Sequence, residues 1–131
     1  MARILIIEED MDTREYLTDI LTQYAPEKYK STWTLRFTKV GTAQDALTIM
    51  KQHNFELLVS DIGIARQDGW EFITELRKMS NHFDLPIVVL SAIGGDELEY
   101  EAKRSGASLW FTKPVDPKPF VDAVFTLITE R

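Results

Sequence analysis

Three acids in succession, Glu8, Glu9 and Asp10, follow the aliphatic run Ile4–Ile7, and Asp12 lies two residues on. Clustered carboxylates repel one another unless a positive charge sits among them. Three more positions follow aliphatic runs in the same way: Asp61 after Leu57–Ser60, Ser91 after Pro86–Leu90, and Lys113 after Leu109–Thr112. Brought together, these side chains would supply several oxygen ligands, one hydroxyl and one ammonium. Oxygen ligands without His or Cys suit a hard cation, Mg2+ or Mn2+. A carboxylate beside such a cation can attack phosphorus and form an acyl phosphate, while positive charge neutralises the phosphoryl oxygens. The competing reading of the first stretch is a solvated helix start, since acids favour a helix N-terminus. Asp10 and Asp12 fit that reading better than they fit a ligand role.

The elements that must position these residues alternate. Ile4–Ile7, Leu57–Ser60 and Pro86–Leu90 are short and continuously apolar, as in strands buried on both faces. Trp33–Val40 alternates, with Leu35 and Phe37 on one side, which predicts an edge strand. Leu109–Thr112 completes five strands. Between them run helical patterns. Met11–Ala25 has Leu17, Ile20, Leu21 and Tyr24 on one face, and Thr42 begins a helix with Asp45 three residues on, as in a capping box. Trp70–Met79 and Glu97–Ser105 follow, the latter closed by Gly106 and thinly apolar, with Leu98 and Ala102. The last helix has Asp116 as N-cap and Pro117 at its first position, and buries Phe120, Val121, Val124, Phe125 and Ile128. Five β-α units predict an α/β fold: one flavodoxin-like, doubly wound, five-stranded parallel sheet of order 2-1-3-4-5 with five helices. In such sheets ligands bind beyond the carboxyl ends of the strands. That rule gathers Glu8, Glu9, Asp61, Ser91 and Lys113 at one end.

Bulk properties narrow the function. A chain of 131 residues suits a single domain with one core. There is no Cys, so disulfides and thiolate metal sites are excluded. No apolar run reaches the ~18 residues of a membrane span, and the N-terminus lacks a signal-peptide pattern, so a cytoplasmic protein is expected. The net charge of −6 argues against direct nucleic-acid binding. Neither GxxxxGK[ST] nor GxGxxG occurs, so nucleotide binding is not indicated.

Four motifs in order, ILIIEED, LLVSDIGIARQDGWE, PIVVLSA and FTKPVDP, make nearly the whole chain resemble a receiver domain of two-component response regulators, the CheY-like superfamily. The resemblance implies that Asp61 is the phospho-acceptor, served by a sensor histidine kinase, a phosphotransfer protein or a small phosphodonor. It implies Mg2+ held by Glu9 and Asp61, by the Gly63 backbone carbonyl, and by Glu8 mostly through water. Ser91 would bond the phosphoryl oxygen and change rotamer, Lys113 would pair with Asp61 or its phosphate, and Trp110 would be the aromatic switch residue. The Lys113–Pro114 peptide would be cis, and Asp68-Gly69 would form the turn into the third helix. Output would pass through the surface of the fourth helix, fifth strand and fifth helix to a protein partner or output domain, and a homodimer through that surface is compatible.

The chain departs from the family pattern in four places. Glu9 replaces the usual Asp, which is expected to weaken or alter Mg2+ affinity, because Mg2+ tolerates geometric error poorly. Ala65 replaces a proline. Trp110 is larger than the usual Tyr or Phe. The segment from Tyr24 to Trp33 is long, and either extends the first helix or forms a partner-specific loop. GASLW stands where the transcription-factor branch has GADDY, and no attached DNA-binding domain is expected. A stand-alone receiver, or one cut from a larger protein, is therefore expected. Two other functions remain. One is a phosphorylation-independent interaction module. The other is a phosphatase of the haloacid dehalogenase type, which needs an acid where Gly63 stands. His53 and His82 are expected to be exposed, Trp33 and Trp70 to be packing residues, and Gly94 and Gly95 to lend flexibility to the loop after Ser91.

Overall fold

A computed structural model describes residues 1–30, 34–65, 70–79, 82–92 and 95–130. Five parallel strands form one sheet in the order β2-β1-β3-β4-β5. They are β1 (Ala2–Ile7), β2 (Leu35–Val40), β3 (Leu57–Asp61), β4 (Ile87–Ser91) and β5 (Leu109–Thr112). The alternating strand is at the edge. β1, β3 and β4, whose residues are almost all buried, are central.

Because side chains alternate across a strand, each central strand feeds two cores. Ile4, Ile6, Leu57, Val59, Val88 and Leu90 pack under α1 (Met11–Gln23) and α7 (Pro117–Thr129). Leu5, Ile7, Leu58, Ile87 and Val89 pack under α3 (Ala43–Met50), α5 (Glu71–Lys78) and α6 (Asp96–Ser105). Thr42 caps α3, its Oγ1 accepting from the Asp45 N–H at 3.1 Å. Asp116 stands at the N-cap of α7 with Pro117 following, and no hydrogen bond from its side chain caps the helix.

Among the described residues seven helices stand where five are expected. The two additions are single turns of four residues, α2 (Glu27–Lys30) and α4 (Ile62–Ala65), too short to show helical periodicity. α2 occupies the long segment after α1 and neither extends that helix nor stands away from the body. Its Tyr29 ring stacks on Phe125 of α7 at 5.3 Å, with a 10° interplanar angle. Tyr24 lies at the C-cap of α1 and is half exposed, so it leaves the buried face assigned to it. His82 is also corrected: it is 1 % exposed, with Nε2 2.7 Å from the Met50 carbonyl, a partner that makes its burial possible. His53 is exposed as expected. Trp70 packs in the core, but as the N-cap of α5 with φ 76°. That left-handed conformation costs an aromatic residue about 1–3 kcal/mol, which burial of the indole offsets. Trp33, Asp68, Gly69 and Gly94 lie outside the described residues.

Candidate functional site

The carboxyl ends of β1, β3 and β5 deliver Glu8, Asp61 and Lys113 to one place. The Lys113 ammonium donates to Asp61 Oδ1 at 2.6 Å and to Glu8 Oε2 at 2.8 Å. Glu8 is the most enclosed of the three, its side chain 6 % exposed, against 24 % for Asp61 and 21 % for Lys113. The Lys113 N–H donates to the Ser91 carbonyl at 2.7 Å, so the end of β4 fixes where the lysine leaves its strand. The Lys113–Pro114 peptide is cis. Asp61 ends β3, and the chain winds at once into α4. That turn brings the Gly63 N–H within 3.0 Å of Asp61 Oδ2. A Cβ at position 63 would lie 3.0 Å from the same oxygen, a tight contact that glycine avoids.

The positive charge needed among clustered acids is therefore already built in. Burial tends to discharge the Lys113 ammonium. The hydrogen bonds and charges of Asp61 and Glu8 outweigh burial and raise its pKa above the ordinary lysine value of 10.5. The sign of the linkage follows. A raised folded-state pKa gives stability that is fully present below the unfolded value near 10.5 and is lost as pH climbs through the folded value. In chemical denaturation, the stability gap between wild type and Lys113→Met is expected to hold from neutral pH to about 10 and to close above it. A gap that widens in that range would contradict the ion pairs.

The remaining residues are placed as follows. Ser91 ends β4 and is fully buried, paired in register with Thr112. Trp110 is half-buried on the face shared with Leu98 and Ile64. Asp10 caps α1, its Oδ2 accepting from the Thr13 N–H at 3.1 Å and the Thr13 hydroxyl at 2.6 Å. Those bonds lower its pKa, and they mark a helix-start acid. Glu9 is exposed. Among the described residues no three His, Cys, Asp or Glu side chains gather as a metal cage. The donor set still fits Mg2+, which uses one or two carboxylates and keeps several waters. Glu8, Glu9, Asp61 and the Gly63 carbonyl are the oxygens that would hold it.

Sequence reasoning missed Arg14. Its Nε donates to the Glu8 carbonyl at 2.5 Å, directly behind the acids. A cation one helical turn past an acid cluster gives no local signal. The structure also adds Tyr16, whose hydroxyl donates to the Val115 carbonyl at 2.9 Å and ties α1 to the loop carrying Lys113.

Comparison with known proteins places the fold in a family. Residues 4–125 match the model of the response regulator receiver domain. The chain is 31 % identical over 121 residues to an uncharacterized 14.6 kDa protein of Leptolyngbya boryana, covering 92 % of this chain and 86 % of that one. It is 29 % identical to the response regulator protein FleR of Pseudomonas aeruginosa, covering 94 % of this chain and spanning 24 % of FleR. A sensor protein from Polaromonas sp. JS666, solved by crystallography, superposes with a TM-score of 0.77 at 30 % identity, over 98 % of this chain and 97 % of that one.

Proposed function

The chain belongs to the response regulator receiver domain family, and from that premise we propose that it is a phosphorylation-dependent signalling switch with Asp61 as the acceptor. One observation carries the reading: an aspartate at the carboxyl end of a central strand, with one oxygen 2.6 Å from a part-buried ammonium. Asp61 attacks the phosphorus of a phosphohistidine on a sensor kinase or phosphotransfer protein, or of a small acyl phosphate. A P–O bond forms, and the P–N or P–O bond to the donor breaks. A histidine donor leaves as an imidazole, which takes its proton from solvent. Lys113 can then turn from the carboxylate to a phosphoryl oxygen, and the Gly63 N–H faces the same group. Mg2+ or Mn2+, when bound, supplies further positive charge to the phosphoryl oxygens. The Ser91 hydroxyl donates to the phosphoryl group, and Trp110 repacks, changing the surface of α6, β5 and α7 read by a partner or output domain. In this reading residues 1–131 act as one receiver unit in the cytoplasm, with no turnover of other substrates and no contact with nucleic acid or membrane. No helix among the described residues is long and apolar enough to cross a membrane.

Acetyl phosphate or beryllofluoride with Mg2+ tests the proposal by intact mass and 19F NMR. Wild type is expected to form one adduct and Asp61→Ala none. An adduct that survives the substitution would sink it.

A second reading, a receiver-like module that works without phosphorylation, draws on Glu9 being exposed and, among the described residues, outside any acid cage. Tryptophan fluorescence with millimolar Mg2+ separates the two, because Trp110 shares a face with Ile64 in the turn after Asp61; a flat titration supports the module. The phosphatase alternative has less support. The position of its general acid is Gly63, whose N–H donates to Asp61.

A further inference from the structure

We infer that Arg14 is a positioning residue for the acid turn, and that Gly41 is a glycine because the Arg14 guanidinium lies against it. The inference rests on the phosphorylation reading above and extends it to residues outside the acceptor pocket.

The peptide joining Glu8 to Glu9 is held from several sides. The Glu8 N–H donates to the Val40 carbonyl at 3.0 Å, which fixes it to the end of β2. The Glu8 carboxylate reaches both ways: Oε2 accepts from Lys113, and Oε1 accepts from the Asp10 N–H at 3.2 Å. The Glu8 carbonyl accepts from Arg14 Nε. Arg14 is itself fixed to the turn, its N–H donating to the Asp10 carbonyl at 3.1 Å. Its guanidinium therefore sets the plane of the peptide from which Glu9 departs. Glu9 has one more rotatable bond than the usual Asp, so its oxygens are reached from a looser stem, and the orientation of that stem matters more.

Gly41 follows β2 and lies against the guanidinium. A Cβ there would lie 2.7 Å from Arg14 Nη2, closer than real contacts allow. The backbone does not demand glycine, since Gly41 is not among the positive-φ residues. The atom in the way is the free end of a flexible side chain, so alanine at 41 would spare the fold and push the guanidinium off the Glu8 carbonyl. Gly41 is thus an unobtrusive handle on Arg14.

Charge and position predict opposite outcomes. If Arg14 acted only by charge, Arg14→Gln would remove a cation from beside the acids and strengthen Mg2+ binding, while Arg14→Lys and Gly41→Ala would change nothing. If it positions the turn, all three weaken Mg2+, because lysine lacks the Nε fork and alanine displaces it. Loss of a group that orients metal ligands costs about tenfold or more in metal affinity. The experiment is an Mg2+ titration by tryptophan fluorescence, with beryllofluoride adduct formation in parallel, on wild type and the three variants. Circular dichroism melts confirm that each variant is folded. The expected result is about tenfold weaker Mg2+ in all three, with melting temperatures near wild type for Gly41→Ala. Unchanged affinity in Arg14→Lys and Gly41→Ala, or tighter binding in Arg14→Gln, overturns the inference while leaving Asp61 as acceptor. No Mg2+ response in wild type fails the underlying phosphorylation reading instead.

Discussion

Lys113→Met is expected to lower stability by about 3 kcal/mol at pH 7 without divalent metal. In a domain of this size that is a fall in melting temperature of the order of 10 °C. The size of the effect comes from what remains behind. Glu8 and Asp61 both point at the vacated ammonium position, and the Glu8 side chain is 6 % exposed. Methionine fills the volume and brings no charge, so two carboxylates face each other in a poorly hydrated cleft. The deficit should shrink when millimolar Mg2+ supplies the missing charge, because a ligand of the native state stabilises by mass action. Asp61→Asn is the control: it leaves Lys113 paired with Glu8 and removes one acid, so its cost stays near about 1 kcal/mol or below. Differential scanning fluorimetry with and without Mg2+ measures both variants. Equal melting temperatures for wild type and Lys113→Met in EDTA would mean that the ion triad adds nothing to stability. The lysine would then no longer account for acids clustering at this end of the sheet.

The fold was legible because each of its rules has a long enough reach in sequence. Short apolar runs at residues 4–7, 57–60 and 86–90, alternating with helical patterns, read as central parallel strands, and the alternation of Leu35 and Phe37 as an edge. Once the strand order is set, Asp61 and Lys113 converge although 52 residues separate them. What escaped was local or conditional. Four-residue turns such as α2 are shorter than any periodic window, so the stacking of Tyr29 on Phe125 had no sequence signal. The burial of His82 depends on a carbonyl 32 residues away, and nothing around NHFDL announces it. Trp70 takes a left-handed φ against the preference of its own backbone, which no local pattern announces. At the site, residue types announced the chemistry but not the division of labour. Glu8, the acid expected to act mostly through water, is the buried partner of Lys113. Glu9, expected as a direct ligand, is exposed.

Phe120→Ala is expected to cost about 3–5 kcal/mol, whereas Leu98→Ala should cost about 1 kcal/mol or less. Phe120 is fully buried beneath α7 and meets Phe111 of β5 edge-on, with ring centroids 5.4 Å apart. Its loss leaves a cavity in the core it shares with buried central-strand residues such as Ile4, Val59 and Val88, which the sheet holds in place. α7 brings five buried side chains to that core. α6 brings one, Ala102, with Leu98 only partly covered. The two helices that flank β5 are therefore anchored very differently. Opening of α6 requires little apolar exposure, so its amides should exchange by local opening well below the global unfolding free energy, while those of α7 exchange near it. Hydrogen exchange at low denaturant reads both. Equal protection in the two helices would show that α6 is as firmly seated as α7. The expected asymmetry bears on the proposed function: were Asp61 to gain a phosphoryl group, the modest charge change could bias only an element whose displacement is cheap, and the weakly anchored α6 meets that condition better than α7.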